Sequence, residues 1–299
     1  PGGYLNNTEE FTSGGPVGAW STGGNMNASS AERSGVGPAT TALAFGGTPG
    51  GIALTEQYNG STWTAKNVLN TGRQDGASAG TSPAALYFGG TPGAKANTEL
   101  LNGTSWTNKA DLNLGRGYMG GFGTSTSALA ASGGAPPAPT SNVEEYNGTS
   151  WAEVQNNNTA RRAMAAAGVD NNSGIIFGGN SPPGTNLKAL TESWNGTSWT
   201  EITDLNSARL SLGGSGTTTA ALAFGGDQPP ASPNHVAITE EYNGVAWTEV
   251  ADLNVGRSLI VGGGTTSSTL GFGGEPGSGQ TSATEEWSSS SNVVKTLTD

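Results

Sequence analysis

The six residues ALAFGG, 221–226, and the nine residues TEEYNGVAW, 239–247, decide the fold between them. In ALAFGG, Leu222 and Phe224 alternate with Ala221 and Ala223, the period-2 pattern of a half-buried strand, and a Gly pair stops it. In TEEYNGVAW, Glu240 and Tyr242 stand two apart and so share one face of a strand. Asn243-Gly244 is the strongest short-range hairpin signal, which predicts a tight type I′ turn with positive φ at both residues and a second arm carrying Trp247.

Both phrases recur along the chain. The Gly-pair strand returns as ALAFGG (42–47), ALYFGG (85–90), GIIFGG (174–179) and TLGFGG (269–274), with a weaker copy, AASGG, near 130–134. The hairpin returns as TEQYNGSTW (55–63), TELLNGTSW (98–106), VEEYNGTSW (143–151) and TESWNGTSW (191–199). Six tryptophans, Trp20, Trp63, Trp106, Trp151, Trp199 and Trp247, are spaced by 43, 43, 45, 48 and 48 residues. Ten residues after five of them stands an arginine, Arg73, Arg116, Arg161, Arg209 or Arg257; after Trp20, Arg33 follows at thirteen. Behind each Arg runs a stretch of small residues, such as LSLGGSGTT (210–218), suited to a strand crowded near a central axis.

Each period thus holds four short strands: a small-residue strand a, the Gly-pair strand b, the Glu-x-Tyr strand c and the Trp strand d. Four antiparallel strands per unit of about 45 residues is the blade of an all-β β-propeller. A parallel β-helix fits less well, since it repeats faster and has no use for an Asn-Gly hairpin in every turn.

The strands do not divide evenly. Pair a–b occurs six times and pair c–d seven, the extra copies being TEEF (8–11) with Trp20 and TEEW (284–287) with NVVKTL (292–297). The expectation is a single domain over 1–299, with a c–d half blade at 1–22 and complete blades at about 33–67, 73–110, 116–155, 161–203, 209–251 and 257–297. Seven blades are favoured, the inner strands of the half blade being encoded upstream of Pro1 in a fragment or processed chain; a six-bladed ring with a surplus hairpin is the alternative.

Composition narrows the chemistry. Of 299 residues 50 are Gly and 15 Pro, with no Cys, one His, 12 basic and 23 acidic side chains, and a net charge of −11. Thiolate chemistry, disulfides and Cys or multi-His metal centres are excluded. Few scattered Lys and Arg argue against nucleic acid and anionic membrane surfaces as partners, and no apolar run reaches the ~20 residues of a membrane span. At about 0.04 net charges per residue the chain lacks the charge signature of disorder.

The repeated residues read first as structure. Glu56, Glu99, Glu144, Glu192 and Glu240, with Glu9 and Glu285, occupy one position of strand c. Coupled to Arg73, Arg116, Arg161, Arg209 and Arg257 they could form a charged binding ring, but buried ion pairs are favoured, with Glu192 the expected partner of Arg209. Trp63, Trp106, Trp151, Trp199 and Trp247 are read as inter-blade core rather than carbohydrate platforms. The sequons at Asn59, Asn102, Asn147 and Asn195 are explained by the turn. The Asp-Leu-Asn runs at 111, 204 and 252 suit turns better than Ca²⁺, so no metal and no cofactor is expected.

Variation concentrates in the b–c loops, which share one face of a propeller with the d–a loops. The longest, NSPPGTNLKAL (180–190) and DQPPASPNHVAI (227–238), suggest a binding patch of Pro182, Asn186, Lys188, Asp227, Gln228, Pro229, Asn234 and His235. No catalytic residues are assigned: His235 has no nucleophile elbow beside it, and most carboxylates belong to the repeat, although a carboxylate pair for glycoside cleavage stays open. A binding scaffold is the favoured reading.

The pattern FGG, Glu-x-Tyr-Asn-Gly, Trp and Leu-Asn-x-Gly-Arg resembles the kelch and galactose-oxidase-like propellers, most nearly the kelch-like repeat proteins of marine bacteriophages. Ordinary kelch repeats carry Tyr-Asp where this chain has Tyr-Asn-Gly. Galactose oxidase activity does not carry over, because its copper ligands and Cys–Tyr crosslink have no counterparts. The resemblance implies a virion or extracellular protein, a bacteriophage appendage or tail-fibre component used in adhesion. Its partners would be a host surface receptor or glycan or other virion proteins, and a homo-oligomer is compatible. The alternative is a kelch-type scaffold that binds a partner's peptide.

Overall fold

The computed structural model describes residues 18–135, 138–181, 186–229 and 234–289. They form six four-stranded antiparallel sheets, each in the strand order a–b–c–d. Blade 1 comprises Ser34–Val36, Leu43–Phe45, Thr55–Tyr58 and Trp63–Lys66. Blade 2 comprises Ala77–Thr81, Ala84–Phe88, Thr98–Leu101 and Trp106–Asn108, and blade 3 Gly120–Thr124, Ser127–Ala131, Val143–Tyr146 and Trp151–Val154. Blade 4 comprises Ala165–Asp170, Ser173–Phe177, Thr191–Trp194 and Trp199–Ile202, and blade 5 Gly213–Gly216, Ala221–Phe224, Thr239–Tyr242 and Trp247–Glu249. In blade 6, Val261–Thr265, Ser268–Phe272 and Thr284–Ser288 supply a, b and c, and Ala19–Thr22 supplies d.

That last pairing corrects the seven-bladed expectation. Trp20 sits opposite Trp287 and Thr22 opposite Glu285, so the first c–d copy contributes its d strand to blade 6 instead of founding a blade of its own. The ring closes between blades 1 and 6: Trp63 packs edge-on against Phe272 and donates to Thr284 Oγ1 at 3.0 Å, and the Tyr58 hydroxyl meets Glu286 Oε1 at 2.5 Å. The segment leading into blade 1 is laced to blade 6 by backbone bonds Gly23 to Thr284, Met26 to Ser282 and Ser30 to Thr281. A seventh blade has no seam left to occupy. The copies TEEF (8–11) and NVVKTL (292–297) lie outside the described residues.

The hairpins also differ from expectation. Tyr58 pairs with Trp63 and Tyr242 with Trp247, so the c–d connection is a four-residue loop, not a two-residue type I′ turn. Only the glycine is left-handed, Gly244 at φ +92°. The asparagine acts through its side chain: Asn243 Oδ1 accepts the N–H groups of Val245 and Ala246 at 3.0 Å, mimicking a backbone turn.

Blades pack through the tryptophans. Each reaches the preceding blade, Trp20 against Phe224, Trp106 against Phe45, Trp151 against Phe88 and Trp247 against Phe177, with ring centroids 4.8–5.0 Å apart. Their indole N–H groups end on threonines at the head of that blade's strand c, as in Trp151 to Thr98 at 3.0 Å. This explains why Thr, Glu and Tyr of strand c are all buried although only alternate residues share a face: sandwiched between neighbours, a blade buries both faces. Blade 3 departs, with Ala131 and Val143 at the Phe and Thr positions, and Trp199 donates to the Gln155 carbonyl at 3.2 Å instead.

Candidate functional site

The repeated ion pairs are internal to each blade. Arg209 lies fully buried against Glu240 at 2.5 Å, and Arg116 against Glu144 at 2.5 Å; Arg33–Glu56 and Arg257–Glu285 stand at 3.1 Å. Arg73 pairs with Glu99, and Arg161 pairs with Glu192. Glu192 is therefore not the partner of Arg209: the Arg opening strand a bonds the Glu of its own blade's strand c, because the d–a loop delivers it into the next blade. An asparagine completes each set, Asn206 donating its N–H and Nδ2 to Glu240 Oε2 at 2.6 and 2.9 Å. The outer Nη2 of Arg209 donates to the Ala223 carbonyl of strand b. Burial lowers the pKa of Arg209 and Glu240 opposes the shift. Asp111, Asp204 and Asp252 each accept the first N–H of strand c through Oδ1 at 3.0–3.1 Å, a turn-fixing task.

Where the repeat varies, it varies around the axis. Two residues past each Arg, at the entrance to strand a, stand Asp75, Tyr118, Ala163, Ser211 and Leu259; Glu32 takes this place in blade 1. All six are left-handed, with φ between +53° and +56°. Each N–H donates to the carbonyl of its counterpart in the blade before: Asp75 to Glu32 (3.1 Å), Tyr118 to Asp75 (2.7 Å), Ala163 to Tyr118 (2.9 Å), Ser211 to Ala163 (2.8 Å), Leu259 to Ser211 (2.8 Å) and Glu32 to Leu259 (3.4 Å). Six backbone bonds thus make a closed circle at the mouth of the central channel.

Inside this circle lies a cavity of about 110 Å³ bordered by Glu32, Asp75 and Tyr118 on one half and by Ala163, Ser211 and Leu259 on the other. Behind it a buried collar of Met119, Met164, Leu212 and Ile260 narrows the channel. On the opposite face, where the a–b turns lie, the channel widens to a vestibule of about 370 Å³ lined mostly by Gly, Ala, Ser and Thr, with Val36, Pro38, Phe122 and Val169 among them. The first mouth is therefore asymmetric, with its acids on one half, and the second is uncharged.

The acids at the mouth are perturbed. Burial first, then Asp75 and Glu275, pushes Glu32 up to about 7, while its bond from Gln74 Nε2 opposes this. Burial pushes Asp75 up to about 6 against the lowering effects of Thr91, whose hydroxyl donates at 2.6 Å, and of Tyr118 and Gln74. Burial and the two carboxyls raise the Tyr118 hydroxyl as well.

The loop patch expected from sequence borders the same face. Leu210 bridges to Asp227, and Asp227 to His235, whose Nδ1 stands 2.5 Å from Asp227 Oδ1. His235 also lies over Gly277 in the blade 6 loop, the nearest ring carbon 3.3 Å from where a Cβ would stand. Gln228 anchors to the Ala208 carbonyl and its N–H to Asn234; Pro229 is half-buried and Asn234 exposed. In the blade 4 loop, Asn186 receives the N–H of Ser181, and the N–H of Lys188 bonds Gly179. Pro182 lies outside the described residues. The structure thus unites Asp227, Gln228 and His235 and keeps Asn186 and Lys188 on the neighbouring loop. Sequence reading missed Glu32, Asp75 and Tyr118; for Asp75 and Tyr118 the signal was a position of changing chemistry two residues after a repeated Arg, whereas Glu32 stands one residue before Arg33 and breaks that spacing.

Fold and site together define a six-bladed β-propeller whose two faces differ, one carrying the acids at the channel mouth and the variable loops, the other the uncharged a–b turns. No family model matches the sequence, and no curated protein matches it. Among solved structures 325 chains match, including one described as the structure of YjhT, with a TM-score of 0.71 at 12% identity, covering 88% of this chain and 96% of that one. This likeness supports the propeller reading at the level of fold.

Proposed function

We propose that this protein is a non-enzymatic recognition propeller whose d–a and b–c face holds its ligand. The observation that carries the reading is the ring of six non-glycine, left-handed residues of differing chemistry around the channel mouth, on a scaffold otherwise repeated blade after blade. Left-handed backbone at a non-glycine costs about 1–3 kcal/mol, and such strain gathers at functional sites. Variable side chains on a rigid frame place polar contacts without large ordering costs. Within this reading the marine-phage likeness of the repeats suggests a virion appendage or tail-fibre component meeting a host receptor or glycan. His235 has its carboxylate partner, but among the described residues no hydroxyl is bonded to its ring, which favours recognition over acyl transfer.

The test is a screen of the immobilised chain against a glycan array and a peptide library, with hits measured on Arg162→Ala, Lys188→Ala and Gln228→Ala. Loss of about tenfold or more in affinity on this face, with Thr124→Ala on the other face unchanged, is expected. Glycan hits support the appendage reading and peptide hits the kelch-type scaffold. Binding lost only with Thr124→Ala would overturn the assignment of the face.

A further inference from the structure

The mouth is not chemically even. Blades 4, 5 and 6 bring Ala163, Ser211 and Leu259 to the backbone circle, whereas blades 1, 2 and 3 bring Glu32, Asp75 and Tyr118, joined side to side. Gln74 Nε2 donates to Glu32 Oε2, the Thr91 hydroxyl donates to Asp75 Oδ2, and the Tyr118 hydroxyl faces Asp75. We propose that Glu32, Gln74, Asp75 and Tyr118 form a proton-controlled clasp, which ties the first three blades together at the mouth while its carboxyls are protonated and loosens the seam between blades 6 and 1 when they ionise.

Three structural facts support this. Glu32 lies within the field of the Asp75 carboxyl of blade 2 and the Glu275 carboxyl of blade 6 and itself acts on the Tyr118 hydroxyl of blade 3, while its chain neighbour Arg33 is turned away to Glu56. Asp75 is bonded by the Tyr118 hydroxyl and acts through its charge on Glu32 and on Tyr87, whose ring is covered by Arg73, itself committed to Glu99. The charge of the exposed Arg162 opposes the upward shift of the Tyr118 hydroxyl. Among the described residues neither Glu32, Asp75 nor Glu275 has an ion-pair partner, in contrast to the six blade glutamates. Finally, Glu32 to Leu259 is the longest bond of the circle, at 3.4 Å, and it spans the seam where the first and last blades meet.

The direction follows from linkage. A carboxyl raised on folding adds no penalty below its unfolded value, and costs stability progressively as pH rises to its folded value. With Asp75 and Glu32 raised to about 6 and about 7, the clasp loosens between roughly pH 4 and pH 7.

Hydrogen exchange read by mass spectrometry at about pH 5 and about pH 8, corrected for intrinsic rates, tests this on the amides of the circle. Protection at Glu32 and Asp75 is expected to fall about tenfold or more at the higher pH relative to Ala163 and Ser211. Glu32→Gln, which keeps size and hydrogen bonding, should abolish the difference, and Glu275→Gln should shrink it. Equal loss around the whole circle, or a difference that persists in Glu32→Gln, overturns the proposal. Should Glu32→Gln not fold, Asp75→Asn replaces it, and the wild-type contrast between the two halves decides by itself.

Discussion

At the scale of single residues, each blade is pinned by a buried charge pair held by several bonds at once, although the Nε of Arg209 is left without a partner. Arg209 spends donors on Glu240, on the Ser207 carbonyl and on strand b at Ala223, while Asn206 covers the other carboxylate oxygen. Arg209→Ala strands the buried Glu240 and is expected to cost about 3–5 kcal/mol in chemical denaturation. A loss within ~1 kcal/mol, typical of an exposed pair, would contradict this account. The Trp–Thr contact gives a second case. Thr98→Val removes the acceptor of the Trp151 indole at nearly constant volume, and the expected loss is about 1–3 kcal/mol, the cost of an unmet buried donor. Val143 shows how the chain tolerates that change in blade 3, since Trp199 there finds a carbonyl instead.

Among the elements, strand b ends where it must, because its Gly pair runs beneath the next blade's Arg. At Gly89, φ +67°, an added Cβ would lie 2.1 Å from Met119 Cε and 2.6 Å from the Arg116 carbonyl. The side-chain tip can move, but the backbone oxygen cannot. Gly89→Ala should lower the thermal midpoint by the equivalent of about 2 kcal/mol or more, and an unchanged midpoint would show that the junction has slack. Blade 3 already carries Ser132 at the matching site with φ +57°, held by its hydroxyl on Asn157 and its carbonyl on Arg116. The strands themselves were legible in ALAFGG and TEEYNGVAW, since alternation and punctuation are local. The shape of the c–d loop was not: Asn-Gly is compatible with two turn lengths, and the register of Tyr against Trp, set by the neighbouring blade that receives the indole, chose the longer one.

Over the whole molecule, closure rests on Ala19–Thr22 completing a sheet whose other strands come from the far end of the sequence. Trp20 packs on Phe224 and Trp287 and donates to Thr239 at 3.0 Å, so it links blade 6 to blade 5 as well. Trp20→Ala is expected to cost about 3–5 kcal/mol and to raise exchange in blade 6 more than in blade 3; uniform effects would argue that the ring holds without this strand. What the sequence by itself determined is what repeats: the propeller class, four strands to a blade, the Arg, Glu and Trp positions and the face on which loops vary, because periodicity and strand alternation are properties of the chain alone. Only the tertiary structure decided the number of blades, the partner of each Arg and the meeting of Glu32, Asp75 and Tyr118 at one mouth. Those depend on closing a ring, in which residues more than forty positions apart in sequence become hydrogen-bonded neighbours.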